Sequence, residues 1–137
     1  MAEDLDYVRT VFFEAMRLEP PVELSLAQSF SHDITIGELP GYKQSTGLDP
    51  VRIKADEMFF ICFRLLHHDK FQWKKPLEFR PERFDPKSEW YKRPDGGPRH
   101  PLAFCPFSGG KRVCIGKTFA EITVKFTIPV LYHYFDF

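Results

Sequence analysis

Apolar residues recur at helical spacing near the start of the chain, where Leu5, Val8, Phe12, Ala15 and Met16 share one side of the stretch from Asp4 to Leu18. Pro20 and Pro21 end the pattern, because neither can donate to a helical ladder. A helix is expected over 4–18. The period then changes to two in "DITIGE", which predicts a short strand with Ile34 and Ile36 on one face and Gly37 closing it. The polar, glycine-containing stretch from Pro40 to Pro50 reads as an inserted loop. "VRIKADEMFFICF" predicts a short strand, a turn near Ala55 and Asp56, and a buried strand from Met58 to Phe63, together an antiparallel hairpin. "RLLHHD" can form one helical turn.

Prolines at 76, 81, 86, 94, 98, 101 and 106 forbid a sustained helix or central strand between Lys74 and Pro106. An irregular meander is expected there, held down by Phe79, Phe84, Trp90 and Tyr91. From Ile115 onward Phe119, Ile122, Phe126 and Val130 alternate with Lys117, Glu121 and Lys125, which predicts a second helix with Pro129 placed to kink it. No repeat, low-complexity tract or boundary interrupts residues 1–137, so no separate second domain is expected.

Composition narrows the class. With 137 residues, 43% of them hydrophobic, the chain can bury a modest core. Lys plus Arg equal Asp plus Glu at 19 each, so no charge excess argues for nucleic acid as a partner. Cysteines at 62, 105 and 114 are too few and too irregular for a disulfide framework, which fits a reducing compartment. The acidic start "MAEDLDYVRT" has no apolar centre, and no run of eighteen apolar residues occurs, so neither a signal peptide nor a membrane span is visible.

One cysteine stands apart by position. On residue type alone Cys114 reads as a small packed hydrophobe. It lies just ahead of the second helix, however, beside Lys111 and Arg112, where unpaired N–H groups and cations favour a thiolate. Such a thiolate serves as a nucleophile, a redox sensor or a metal ligand. Cys105 and Cys114 are nine apart, no C-x-x-C exists and the histidines lack paired spacing, which argues against zinc. Gly110-Lys111 fails as a phosphate loop, since Arg112 and Cys105 occupy the required Ser/Thr and Gly positions. Nothing in the sequence places a histidine base beside a cysteine nucleophile. A single axial thiolate to a large cofactor is left.

Phe107, Gly110, Arg112, Cys114 and Gly116 reproduce F-x-x-G-x-R-x-C-x-G, which resembles the haem-binding loop of the cytochrome P-450 family. Glu14 and Arg17 match that family's E-x-x-R, and Pro81-Glu82-Arg83-Phe84 its P-E-R-F, both in the expected order. The resemblance implies an α+β fragment of a mainly α fold, built from an E-x-x-R helix, a small β-hairpin, a meander, a cysteine-ligand loop and a proximal helix. It implies Cys114 as axial ligand of haem b (iron protoporphyrin IX) and Arg112 toward a propionate. Gly110 and Gly116 would allow close approach to the ring, and Phe107 would pack near the sulfur. Glu14, Arg17 and Arg83 would form a buried structural network.

By the same resemblance the parent protein is a haem-thiolate monooxygenase that inserts one oxygen atom from O2 into an apolar small-molecule substrate. Its electrons would come from a reductase or ferredoxin. Lys111, Lys117 and Arg99 are candidates for a basic patch facing that donor. A eukaryotic parent would sit on the cytoplasmic face of the endoplasmic reticulum through an N-terminal anchor not seen here, and otherwise in the cytoplasm. Alternatives are a non-catalytic haem-binding or interaction module, and a haem-thiolate isomerase or peroxygenase. Because the distal helix and most of the substrate pocket are not in the sequence, the chain alone is expected to be inactive. Departures from the pattern include Gln28, where many members carry a propionate-binding Arg or His, the "KADEM" segment, and the long loop from Pro40. His67 and His68 are read as structural, and Cys62 and Cys105 as packed thiols.

Overall fold

The computed structural model describes residues 2–38 and 47–136, with side chains from residue 5 onward. Most of the expected insertion therefore lies outside the described residues. The chain divides into two compact units, Met1–Leu24 with Cys62–Phe137, and Ser25–Ile61.

The first unit opens with helix α1, Ala2–Leu18. It ends as predicted, with the Glu19 N–H on the Ala15 carbonyl at 2.9 Å and buried Pro20 next. Its most deeply buried side takes only Met16 from the apolar stripe. Thr10, Glu14, Met16 and Arg17 are buried, whereas Leu5, Val8 and Phe12 are half-buried and Ala15 is exposed. A polar helix face can be buried like this only where its groups find partners inside the protein.

After Leu24, which bridges Cys62, the unit resumes with the short helix α2, Phe63–His67, the predicted helical turn. Residues 74–106 form the expected meander, a series of 3-10 turns at Pro81–Phe84, Glu89–Tyr91 and Pro101–Ala103. Its deepest anchor is Trp73, 1% exposed, whose Nε1 donates to the Leu66 carbonyl at 3.3 Å. That bond lets an indole be buried without an orphaned donor. Phe84 and Phe104 pack on it, 4.7 Å apart between centroids, and Phe13 packs on both of them. Two expected anchors do not serve, since Phe79 and Tyr91 are exposed.

The unit closes with helix α3, Lys117–Tyr134, which contains Pro129. The apolar face read from the sequence is exposed, with Phe119, Ile122, Phe126 and Val130 between 51% and 75% exposed. The half-buried side carries Ala120, Glu121, Val124, Lys125 and Ile128, and Lys125 Nζ lies 4.0 Å from Asp6 Oδ1 of α1. The helix is apolar on both sides, so its period alone could not say which one packs on this chain. No helix among the described residues is long and apolar enough to cross a membrane.

The second unit holds β1, Ile34–Ile36, antiparallel to β2, Val51–Ile53, in the register Ile34↔Ile53, Thr35↔Arg52 and Ile36↔Val51. The expected hairpin between β2 and Met58–Phe63 does not form. Gln28 instead pairs with Phe59 through bonds in both directions, and the Ser25 N–H meets the Ile61 carbonyl at 2.8 Å. Met58 and Phe60 are exposed, and Phe63 already belongs to α2. The turn at Ala55 and Asp56 exists, but it interrupts one arm instead of joining two. Asp56 takes φ 59°, its N–H bonds the Phe30 carbonyl at 2.8 Å, and Asp33 Oδ1 accepts from Ala55 N at 2.8 Å. Asp33 reaches across the ladder to fill the acceptor role, a long-range contact invisible to a local turn signal.

Candidate cofactor site

Glu14 and Arg17 stand one turn apart on α1 and form a bidentate pair, Nε to Oε2 and Nη2 to Oε1, both at 2.8 Å. Arg83 of the P-E-R-F turn adds Nε to Oε1 at 3.1 Å, and the Arg80 N–H adds a further bond to Oε1 at 2.8 Å. Glu14, Arg17 and Arg83 are all 0% exposed. The structure thus brings the three together. One carboxylate cannot neutralise two guanidiniums, and the end of α2 and the meander supply the remaining acceptors. Arg17 donates to the carbonyls of His67 at 2.9 Å, Pro76 at 2.7 Å and Glu78 at 3.2 Å. Arg83 donates to those of Lys74, Lys75 and Glu78. The planar fork of Arg suits this pattern of fixed, divergent acceptors. Burial pulls the Arg83 guanidinium below its usual range, with Glu14 opposing.

Arg99 extends this network, a role that its place in the sequence does not suggest. Its guanidinium lies 4.2 Å from the Trp73 ring centre and donates to the carbonyls of Trp90 and Arg83. It is therefore not part of an open basic patch with Lys111 and Lys117, which are exposed. Burial, with Arg83 nearby, pulls it to about 10, still a cation at neutral pH. A lone arginine among prolines gives no local signal of such a role.

The cysteine loop leaves this core at Phe104. Ser108 N bonds the Cys105 carbonyl at 2.9 Å, and Cys114 N bonds the Phe107 carbonyl at 2.8 Å, which closes the loop on itself. Ser108 and Gly110 take φ 62° and 64°. A β-carbon at Gly110 would meet nothing within 4 Å, so glycine is favoured there by conformation and not by crowding. Gly116 is different: it takes φ −81° and caps α3, and a β-carbon would sit 3.7 Å from Cys114 Sγ, an ordinary contact. The chain's own backbone makes no demand for glycine at 116. Phe107 is half-buried, lining with Phe13, Phe104 and Val113 a cavity of about 180 Å³, whereas Arg112 is exposed.

Cys114 itself is exposed, and so are its sequence neighbours Val113 and Ile115 and, early in α3, Phe119. A soft sulfur donor on a stretch of exposed apolar residues fits a flat, largely apolar iron macrocycle. Cys62 and Cys105 are half-buried. Burial raises the Cys105 thiol, which faces the Leu102 carbonyl at 3.4 Å. Gln28 belongs to the other unit, where its backbone is used in pairing with Phe59.

His67 is the buried polar residue that the sequence does not single out beyond a structural role. It is 0% exposed, packs 5.3 Å from Phe104 between ring centres, and accepts the Cys105 N–H on Nε2 at 3.1 Å. His68 differs, with Nε2 on the Leu18 carbonyl at 3.1 Å. Desolvation, then the charges of Arg17 and His68, push His67 down from 6.5 to about 4, against the carbonyls of Met16 and Arg17. The folded protein therefore resists a proton that the unfolded chain accepts. Stability from this group is fully present above about pH 6.5 and is lost progressively as pH falls toward 4. The expected loss is about 2–3 kcal/mol. Urea melts at about pH 7 and about pH 4.5 measure it, and the part of the pH dependence carried by His67 should vanish in His67→Gln.

Against known proteins, the profile of the cytochrome P-450 family matches residues 1–137. The chain belongs to that family. It is 38% identical to cytochrome P-450 4V2 of Mus musculus over 88% of this chain and 19% of that protein. It is 34% identical to the taurochenodeoxycholic 6 alpha-hydroxylase of Sus scrofa over 93% of this chain and 21% of that protein. Among solved structures, retinoic acid bound cyanobacterial CYP120A1 superimposes with a TM-score of 0.72 at 27% identity, over 97% of this chain and 27% of that one. The chain thus spans about one fifth of the length of the relatives it matches.

Proposed function

We propose that the protein carrying this chain is a haem-thiolate monooxygenase, with Cys114 as the axial ligand of haem b and the two compact units as parts of one partial domain. The observation that carries the reading is the presentation of Cys114: an exposed sulfur on a self-closed loop, flanked by apolar surface, in a unit anchored by the buried Glu14, Arg17 and Arg83 network. Arg112, exposed two residues before the ligand, would pair with a propionate. Phe107 would shield the sulfur from water, and Gly110 and Gly116 would leave the ring unobstructed. Bound haem supplies the oxygen-activating chemistry, and a thiolate ligand favours O–O cleavage.

The substrate class is an apolar organic molecule, in keeping with a relative named as a hydroxylase. O2 is the co-substrate, and a reductase or ferredoxin is the electron donor. Exposed Lys111 and Lys117 suit an acidic surface on that donor. For a eukaryotic parent the endoplasmic reticulum membrane, through an N-terminal anchor, is the proposed location. The direct test is the reduced carbon-monoxide complex of the haem-loaded protein. A red-shifted Soret band of thiolate type is expected, and a band of histidine type, or no complex, would overturn the reading.

A further inference from the structure

We infer that His67 is a positioning residue for the cysteine ligand, joining the buried arginine–carboxylate network to the loop that carries Cys114. The inference rests on the haem-thiolate reading for its consequence, but its geometry stands in the chain itself. On one side the backbone carbonyl of His67 accepts Arg17 Nη1 at 2.9 Å, so the residue is fixed to the same guanidinium that grips Glu14. On the other side its Nε2 accepts the Cys105 N–H at 3.1 Å. Cys105 begins the stretch that turns through Ser108, whose N–H bonds the Cys105 carbonyl, and closes where the Cys114 N–H bonds the Phe107 carbonyl. A displaced Cys105 therefore displaces the frame in which Cys114 is held.

The ring is suited to this task because it is held in place and commits to one role. It lies between Phe63, 6.4 Å away, and Phe104, 5.3 Å away, measured between ring centres. Accepting from a backbone N–H requires Nε2 to be unprotonated, which puts the proton of the neutral ring on Nδ1. Nδ1 is buried and makes no well-formed hydrogen bond, although the ring lies near the carbonyls of Met16 and Arg17. A site chosen for packing alone would take a leucine or phenylalanine and avoid a poorly bonded polar atom. What the imidazole provides that they cannot is the acceptor for Cys105.

Glutamine and asparagine separate the acceptor from its bulk. In His67→Gln the amide oxygen reaches toward the position of Nε2, and in His67→Asn it reaches toward that of Nδ1, while both replacements are polar and of similar size. The first readout is independent of haem: amide hydrogen exchange at Cys105 and Cys114 in the chain. His67→Gln should keep near wild-type protection, and His67→Asn and His67→Leu should exchange about tenfold faster at Cys105, with a smaller rise at Cys114. The second readout is the reduced carbon-monoxide spectrum of the haem-loaded protein, in which the thiolate-type band should convert to the non-thiolate form about tenfold faster in His67→Asn than in His67→Gln. Equal behaviour of the Gln and Asn variants in both readouts would overturn the inference. If wild type shows no thiolate band, the haem-thiolate reading fails, and the exchange data still decide whether His67 holds the loop. If His67→Leu does not fold, the Gln and Asn pair decides.

Discussion

Histidine in place of Cys114 is expected to abolish the thiolate-type Soret band of the reduced carbon-monoxide complex while leaving the fold nearly untouched. The two halves of this expectation have separate causes. Cys114 is exposed and its side chain packs no core, so substitution there should change stability by no more than about 0.5 kcal/mol. Under the proposed ligation its contribution is the sulfur. An imidazole offers iron a neutral nitrogen without the electron donation of a thiolate, and the spectrum reports that difference directly. Neither of the other cysteines is placed to substitute. Cys105 is half-buried against the Leu102 carbonyl, and burial favours its thiol over the thiolate that a metal requires. Cys62 bridges Leu24 at the start of α2. Cys105→Ser should therefore leave the band unchanged. Retention of the band in Cys114→His, or its loss in Cys105→Ser, would move the ligand to another residue. Melting curves run in parallel show whether the effect is on ligation or on folding.

Which parts of this molecule can be read from the chain follows from the range of the interactions involved. The boundary of α1, the one-turn spacing of Glu14 and Arg17, and the helical turn at α2 are set by residues within four or five positions of each other. Local spacing is enough. The cysteine loop is equally compact, from Phe107 to Gly116, and its order of residue types survives as a pattern. Strand pairing has no such protection. β2 finds β1 across an intervening loop, and the real turn at Asp56 resembles a hairpin turn because its distinguishing partners, Phe30 and Asp33, lie far back in sequence. The expected second arm fails for that reason. The roles of Trp73, Arg99 and His67 likewise depend on partners separated by long stretches of irregular chain, where neither period nor spacing exists to be read. In α3 the difficulty is of another kind. Apolar residues occupy both sides of the helix, and hydrophobicity measures a tendency to be covered without saying by what.

Lysine at position 17 is expected to be almost as damaging as alanine, although it keeps the charge. Arg17 donates twice to Glu14 and also to the carbonyls of His67, Pro76 and Glu78, which lie on separate segments of the chain. A guanidinium meets these acceptors at once because its donors are spread in a rigid plane. An ammonium has three donors on a single nitrogen and cannot span from the carboxylate to the meander. In Arg17→Lys some of those carbonyls would stay buried and unpaired, and Glu14 would be left with Arg83 as its remaining side-chain partner. Removing one member of a buried charge network typically costs about 3–5 kcal/mol, whereas an exposed pair at the same helical spacing is worth under about 1. The side chains here are 0% exposed, which selects the larger figure. Arg83→Ala should fall in the same range, since it takes from Glu14 one of its two guanidinium partners and from the carbonyls of Lys74, Lys75 and Glu78 a charged donor. Urea or thermal melts of Arg17→Lys, Arg17→Ala and Arg83→Ala measure these costs. A Lys variant within about 1 kcal/mol of wild type would show that Arg17 acts as a point charge, and that the meander is held by something other than its fork.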